Sequence, residues 1–234
     1  MRYFVMGDVH GCCEELINLL DSLNINKSED TVIFVGDYFD RGPKSYEVWC
    51  TLKELKKDMG ERCVLLRGNH EVMLVDYLNK VDSTWTYNGY KATIQSFFIK
   101  NDISLDEVAD WIKKETVYYY SCNLFDVVHA GSDLDDLSKE DKDTLIWDRS
   151  LFSGRDWEGK FTFIGHTSLR ENPAILTKEL KELLDYEKEY DIPNSGVIDI
   201  DTGCVYGNKL SAAEVTEDGK FKLHFVPSSV EKRN

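Results

Sequence analysis

The 234-residue sequence lacks the features of several protein classes. It has no apolar run long enough to cross a bilayer, which argues against a membrane protein and a membrane partner. The segment before the first motif, residues 1–6, is too short for a secretory signal peptide, so we expect a cytoplasmic protein. The six cysteines include no Cys-x-x-Cys pair, which disfavours a thiolate zinc site or a disulfide framework and favours reduced, buried thiols.

Positive charge is also scarce. The chain has 28 Lys and Arg against 43 Asp and Glu, which gives a formal net charge of −15. An acidic surface repels the phosphate backbone of a nucleic acid, so we expect no nucleic-acid partner. A substrate with a single phosphate group is not excluded, because a local cationic pocket can act within an acidic protein.

The first third of the chain predicts three successive strand–loop–helix units. The predicted strands are residues 3–6, 32–35 and 63–66, and the predicted helices are residues 14–23, residues 46–59 and a helix that begins near residue 71. Apolar strands that alternate with helices predict parallel strands with helices on both faces. We expect an α/β fold in a single domain over residues 1–234.

The second half of the chain is predicted to be richer in strands. The predicted strands are residues 117–120, 124–128, 161–164, 174–176, 197–200, 205–206 and 221–226. Between the halves, residues 85–114 are predicted to be helical and aromatic; we interpret these side chains as core and cap packing, with a substrate-facing wall as the alternative. The charged stretches at residues 133–143 and 179–189 are interpreted as solvated helix or loop rather than as sites.

Four of the five histidines lie in short motifs that follow predicted strands. The motifs are Gly7-Asp8-Val9-His10-Gly11, Gly36-Asp37-Tyr38-Phe39-Asp40-Arg41-Gly42, Gly68-Asn69-His70-Glu71, His129-Ala130-Gly131 and Gly165-His166-Thr167. The fifth histidine, His224, lies outside them. Loops that leave the carboxyl ends of neighbouring strands meet at one edge of a sheet. The motifs therefore predict that Asp, Asn and His side chains converge there.

The converging side chains are carboxylates, an amide and imidazoles, without a thiolate. This donor set suits Mn²⁺, Fe or Zn²⁺ better than Ca²⁺ or a structural zinc site. Asp37 could bridge two ions. Two divalent ions would bring four positive charges against two negative charges from Asp8 and Asp37, so the pocket would be cationic even without Arg41 and Arg149. We expect this pocket to attract a phosphate group.

The expected chemistry is metal-assisted hydrolysis. Two ions about 3.5–4 Å apart can hold a hydroxide and the phosphoryl oxygens together. His70, beside Asn69, is the natural donor of a proton to the leaving group, and Asp40 could orient its ring.

These motifs resemble the phosphoprotein phosphatase family of calcineurin-like metallophosphoesterases. Within it, the chain is similar to the small bacterial and phage-type branch, which includes the lambda phage phosphatase and the symmetrical dinucleoside tetraphosphatases. The motifs above carry the resemblance, together with residues 145–149 and 199–204, and it extends from Met6 to about Ala213. It implies a central β-sandwich flanked by α-helices, with the metal site at the carboxyl ends of the strands.

The resemblance also implies roles for individual residues. One metal ion would be bound by Asp8, His10 and Asp37, and the other by Asp37, Asn69, His129 and His166. His70 would be the general acid, paired with Asp40. Arg41 and Arg149 would hold the phosphate oxygens, with Asn69 and His70 also beside the phosphate. Arg67, which the family motif also contains, is interpreted as structural.

Two substrate classes remain open at this point. Phosphoserine and phosphothreonine in proteins are the predicted substrates, attacked directly by a metal-bridging hydroxide. Hydrolysis of dinucleoside polyphosphates such as diadenosine tetraphosphate is the alternative. A non-catalytic phosphate-binding scaffold is a further alternative, which the complete set of ligands disfavours. The sequence leaves the native metal and the oligomeric state open.

Overall fold

The computed structural model describes residues 1–153, 157, 159–176 and 181–230. Two β-sheets pack face to face between layers of helices. The helices are α1 (Cys13–Ser22), α2 (Ser45–Met59), α3 (Asn69–Leu78), α4 (Tyr90–Ile94), α5 (Leu105–Glu115) and α6 (Lys142–Trp147). The strands are β1 (Arg2–Met6), β2 (Thr31–Phe34), β3 (Cys63–Leu66), β4 (Thr116–Val117), β5 (Tyr119–Ser121), β6 (Asp126–Val128), β7 (Thr162–Ile164), β8 (Ala174–Leu176), β9 (Lys181–Leu183), β10 (Glu189–Asp191), β11 (Val197–Asp199), β12 (Lys209–Thr216) and β13 (Lys220–Pro227).

The first sheet has the strand order β10-β13-β12-β1-β2-β3-β4. Strands β1 to β4 run parallel, as the three predicted strand–loop–helix units require. Strand β12 pairs antiparallel with β1 and continues the sheet through β13 and β10.

The second sheet has the strand order β5-β6-β7-β11-β8-β9. Its central strands β6, β7 and β11 are parallel, and the outer strands are antiparallel. The central strands of both sheets are therefore parallel. In each sheet, the loops that leave the carboxyl ends of these strands lie at one edge.

Successive side chains of a strand point to opposite faces of the sheet, so the strands of the first sheet contribute to a core on each face. In β1, Phe4 and Met6 pack beneath the helices, while Val5 faces the second sheet. There Val5 belongs to a buried cluster with Phe125 and Phe163, and each fully buried apolar side chain contributes about 1.5–3 kcal/mol. Helix α6 covers the outer face of the second sheet. The α/β sandwich flanked by helices is confirmed.

Some local predictions were wrong. Residues 205–206, predicted as a strand, belong to the 3₁₀ helix Cys204–Tyr206, which is bounded by Gly203 and Gly207 at positive φ. Strand β12 was not predicted. All six cysteines are free, but Cys50 is exposed rather than buried.

The charged stretches differ in structure. Residues 133–136 are exposed, as expected, whereas the Glu140 carboxylate organises this loop by accepting hydrogen bonds from Ser132 Oγ at 2.7 Å and Leu134 N at 2.8 Å. The first two residues of the stretch at 179–189 lie outside the described residues. The next three form strand β9, which pairs with β8, so the expectation of a helix or loop was wrong there. Across the described ranges, no helix combines the length and apolarity that a membrane span requires.

Candidate metal centre

Polar side chains follow the carboxyl ends of parallel strands in both sheets. In the first sheet, strands β1, β2 and β3 lead to Asp8, Asp37 and Asn69, and in the second, strands β6, β7 and β11 lead to His129, His166 and Asp201. Each of these side chains is buried, with at most 8% exposure. The two sheets thus contribute equally to one polar centre. Asp201 was not among the predicted ligands.

Two groups of possible metal ligands share Asp37. One is His10, Asp37 and His70, the other is Asp37, His129 and His166, and the ligand atoms of each group lie within 4.8 Å of one another. The Asp37 Oδ2 atom lies 3.4 Å from His10 Nε2, and Oδ1 lies 3.5 Å from His129 Nε2. Asp37 therefore lies between two sets of donors, one on each carboxylate oxygen.

The second set also includes Asn69. Its Oδ1 atom lies 3.1 Å from His129 Nε2 and 3.1 Å from His166 Nδ1. An amide oxygen and two ring nitrogens thus converge beside Asp37.

Backbone carbonyls fix the tautomers of two histidines. His10 Nδ1 lies 2.7 Å from the Phe39 carbonyl, and His129 Nδ1 lies 2.9 Å from the Val35 carbonyl. A carbonyl only accepts, so each Nδ1 donates and, in the neutral ring, Nε2 is left with a lone pair. Both Nε2 lone pairs face oxygen lone pairs of Asp37, an arrangement that a cation between them would stabilise. The donor set therefore fits metal ions.

Negative charge is crowded around Asp8. The backbone N–H of His166 donates to its carboxylate at 3.1 Å. Burial raises the pKa of Asp8 well above its ordinary value, and the charges of Asp201 and Asp37 add to the rise. Burial likewise raises the pKa of Asp201 to about 6. Buried carboxylates this close together require compensating positive charge.

Burial holds His10, His129 and His166 neutral. Burial lowers the pKa of His166 to about 2, and the neighbouring His129 adds to the shift. Burial also lowers the pKa of His10 and of His129. Neutral imidazole is the form that binds metal ions.

Several residues of the centre have left-handed backbone conformations. Positive φ angles of 43°, 53°, 67°, 65° and 71° occur at His10, Asp37, Asp40, Arg41 and His166. Such conformations cost roughly 1–3 kcal/mol each in non-glycine residues and persist where the surrounding structure enforces them. Their concentration in three of the five motifs marks these loops as shaped for a site.

Two glycines give the carboxylates room. A β-carbon at Gly68 would lie 2.1 Å from Asp37 Oδ1, and one at Gly165 would lie 2.1 Å from Asp8 Oδ1. Any side chain at either position would displace a carboxylate.

Asp40 orients the His70 ring through one of its two nitrogens. Its Nδ1 atom lies 2.7 Å from Asp40 Oδ2, which also accepts from Trp85 Nε1 at 2.8 Å. The second Asp40 oxygen accepts from Thr93 Oγ1 at 2.5 Å. His70 Nε2 is buried without a hydrogen-bond partner in the described part of the chain, 3.9 Å from Asp37 Oδ2.

Two arginines border the centre. The guanidinium of Arg41 donates to His10 Nε2, so a cation already contacts one possible ligating nitrogen. Arg149 is exposed, donates to Thr167 Oγ1 at 2.8 Å, and its charge contributes to the lowered pKa of His166. Arg67 is structural: it donates to Thr116 Oγ1 at 2.8 Å and to nearby backbone carbonyls.

The structure adds residues that the sequence analysis did not assign. The Glu71 carboxylate accepts from the backbone N–H groups of Asp37, Tyr38 and Gly68 at 2.8, 2.9 and 3.0 Å, and so holds two motif loops together. Glu71 directly follows Asn69-His70 in the same motif, and this position could have identified it as part of the centre. Trp85, which was interpreted as packing, is buried but also orients Asp40.

Known proteins with similar sequences include two kinds of phosphoesterase. An asymmetrical bis(5'-nucleosyl)-tetraphosphatase of Bacillus velezensis is 27% identical over 93% of this chain and 90% of its own length. A serine/threonine-protein phosphatase of Salmonella typhimurium is 27% identical over 91% of each chain. A crystal structure of a putative diadenosine tetraphosphatase has the same fold, with a TM-score of 0.67, 20% identity and coverage of 98% of this chain and 95% of its own.

The comparison with protein families agrees with the geometry. Residues 1–198 match the calcineurin-like phosphoesterases. That range includes both groups of metal donors, the His70–Asp40 pair and the two arginines. This chain therefore belongs to the calcineurin-like phosphoesterase family and is a metal-dependent phosphoesterase.

Proposed function

We propose that this phosphoesterase uses two metal ions that share Asp37. The position of Asp37 supports this most directly, because its two oxygens face His10 Nε2 at 3.4 Å and His129 Nε2 at 3.5 Å. Asp8 and His10 would complete the first ion's ligands. Asn69, His129 and His166 would complete those of the second.

The metals would supply electrophilic assistance. Mn²⁺, Fe or Zn²⁺ at these donors would polarise the phosphoryl group and lower the pKa of a water nucleophile. Arg41 and Arg149 would bind the phosphoryl oxygens, a task that suits the planar guanidinium group. They would hold the phosphorus in place while one P–O bond forms to water and the bond to the leaving group breaks.

His70 would supply the proton that the leaving oxygen needs. Asp40 accepts from His70 Nδ1, so the proton to be delivered would be carried on Nε2. Nε2 has no hydrogen-bond partner within the described chain and lies 3.9 Å from Asp37 Oδ2. A fixed donor of this kind typically contributes about 10²–10⁴-fold to a rate.

For the substrate, we place dinucleoside polyphosphates ahead of phosphoproteins. The tetraphosphatase relative matches along 93% of this chain, and cationic and aromatic side chains lie together beside Arg41. Phosphoserine and phosphothreonine, which the sequence alone favoured, are the second candidate, and the similarity to the Salmonella phosphatase supports them. The cytoplasmic location stays a prediction.

A three-substrate comparison tests this proposal. The Mn²⁺-loaded protein would be assayed with diadenosine tetraphosphate, a phosphoserine peptide and p-nitrophenyl phosphate. We expect kcat/KM for the dinucleotide to exceed the other two at least tenfold. A higher kcat/KM for the phosphopeptide would establish the second candidate. If the metal-loaded protein hydrolysed none of them and His70→Asn changed nothing, the protein would be a phosphate-binding scaffold.

A further inference from the structure

A cavity of about 500 Å³ lies next to the metal centre. Its walls include Arg41, Tyr87, Lys91, Val205 and Tyr206. Because the Arg41 guanidinium also contacts His10, this residue belongs both to the cavity and to the centre. The volume is within the roughly 300–1,000 Å³ typical of small-molecule sites. A substrate held at the metals could therefore extend into this space.

The cavity is locally cationic in an acidic protein. Arg41 and Lys91 line it, and the guanidinium carbon of Arg170 lies 4.4 Å from the centre of the Tyr206 ring. The chain as a whole has a net charge of −15. Three cations grouped beside a phosphoesterase site would attract a ligand with several negative charges.

The cavity also presents aromatic rings. Tyr87 is 85% exposed and follows Trp85, whose indole donates to the buried Asp40, by two residues. Tyr206 is half-buried, and the Arg41 and Arg170 guanidiniums lie over its ring at 5.8 and 4.4 Å. Arginine and aromatic side chains are the groups on which nucleobases stack, at about 1–3 kcal/mol per base.

We propose that this cavity binds one nucleoside of a dinucleoside polyphosphate substrate. The base would stack on Tyr87, and the phosphates beyond the cleaved bond would lie along Arg41, Lys91 and Arg170. This inference rests on the proposed function and names the groups that select a nucleotide. A phosphoserine peptide has no group that requires both the cations and the rings.

Kinetics of Tyr87 variants test the base contact. In Tyr87→Ala, we expect the KM for diadenosine tetraphosphate to rise about 5–150-fold, corresponding to the loss of one stacking contact of about 1–3 kcal/mol. Tyr87→Phe keeps the ring and should restore KM to within twofold of the parent protein. Phe98→Ala is the matched control, since Phe98 is 58% exposed and does not line this cavity.

Inhibition experiments separate the base from the phosphates. ATP and inorganic tripolyphosphate would be tested as inhibitors of p-nitrophenyl phosphate hydrolysis at matched free Mn²⁺. Tyr87→Ala should weaken inhibition by ATP at least fivefold and inhibition by tripolyphosphate less than twofold. Lys91→Ala should weaken inhibition by both compounds.

The two proposals fail in different ways. If diadenosine tetraphosphate proved a poor substrate while ATP inhibition still depended on Tyr87, the substrate would be wrong but the nucleoside site would stand. If the dinucleotide were hydrolysed and Tyr87→Ala changed neither its KM nor ATP inhibition by more than twofold, the nucleoside site would be wrong. An equal loss of ATP and tripolyphosphate inhibition in Tyr87→Ala would also overturn the stacking contact.

Discussion

The Asp40 carboxylate lies 2.7 Å from His70 Nδ1 and holds this ring so that Nε2, which has no hydrogen-bond partner among the described residues, lies beside the donor centre. Asp40 is itself fully buried and held by Trp85 and Thr93. The pair therefore resists reorientation, which is the property a fixed proton donor needs.

Removing either member of this pair should impair turnover without loss of metal. We expect His70→Asn to lower kcat about 10²–10⁴-fold, because the proton donor is lost. Asp40→Asn should lower it about 10–100-fold, because the ring loses its orienting acceptor. Steady-state kinetics and elemental analysis measure both effects. His224→Asn is the control, since His224 bonds to Glu214 instead; a similar loss in that variant would contradict the assignment.

Changing Asp37, in contrast, should reduce the amount of bound metal as well as activity. Asp37→Asn removes the charge that both donor groups share, so we expect bound metal to fall at both positions together with activity. Elemental analysis after gel filtration measures the metal content. If Asp37→Asn and His70→Asn lost metal equally, the division between ligand and proton donor would be wrong.

The buried Asp201 carboxyl should give the metal-free protein a component of stability that depends on pH. Asp201 has its pKa raised to about 6, so its contribution to stability is present below the unfolded value near 3.8 and is lost as the pH rises through 6. A shift of this size corresponds to roughly 3 kcal/mol. Asp201→Asn removes this component, while the lowered histidine pKa values act equally in parent and variant. In urea unfolding of the chelated proteins, we expect Asp201→Asn to gain more stability over the parent protein at pH 8 than at pH 5; an equal gain at both pH values would refute this.

Asp30 should give the reverse dependence on pH. Burial acts to raise its pKa, but hydrogen bonds from Arg2 and from the Asn26 backbone outweigh it and lower the pKa below the ordinary value. Its contribution is therefore present above about pH 4 and lost as the pH falls through the lowered pKa.

Asp30→Asn measures that contribution. We expect it to reduce the free energy of unfolding by about 1.5–3 kcal/mol at pH 7, the range for hydrogen bonds to charged groups. The variant should also lose less stability between pH 5 and pH 2 than the parent protein does. An unchanged acid dependence would show that Arg2 and Asp30 are not coupled in solution.

Local sequence patterns predicted the strands that lead to the candidate ligands, because these strands are apolar and each is followed by a polar motif. Strand β3 was predicted with the bounds the structure shows, and β1 and β2 to within one residue. Strand β12 escaped prediction because its centre, Ser211-Ala212-Ala213, has little intrinsic strand preference. Its conformation comes from pairing with β1 and β13, which no local pattern reports.

The sequence pointed to the polar residues that directly follow strands, and it missed hydrogen-bond partners that come from distant segments. Trp85 lies 45 residues from Asp40, and its indole contact depends on how the segment between them folds back. Asp201 follows β11 in the same way that Asp8 follows β1, so the rule that identified Asp8 applied to it as well.

The position of β1 between β2 and β12 has a consequence for synthesis on the ribosome. Arg2 pairs with Thr216, and Gly7, just before Asp8, donates to the Ser211 carbonyl at 3.0 Å. At about 5–20 residues per second, translation needs about 10–40 s to reach β12 after β1 is made. Throughout that interval one edge of β1 lacks its partner and is open to pairing with other chains. The nascent protein should therefore depend on chaperones and remain inactive until its last strands emerge.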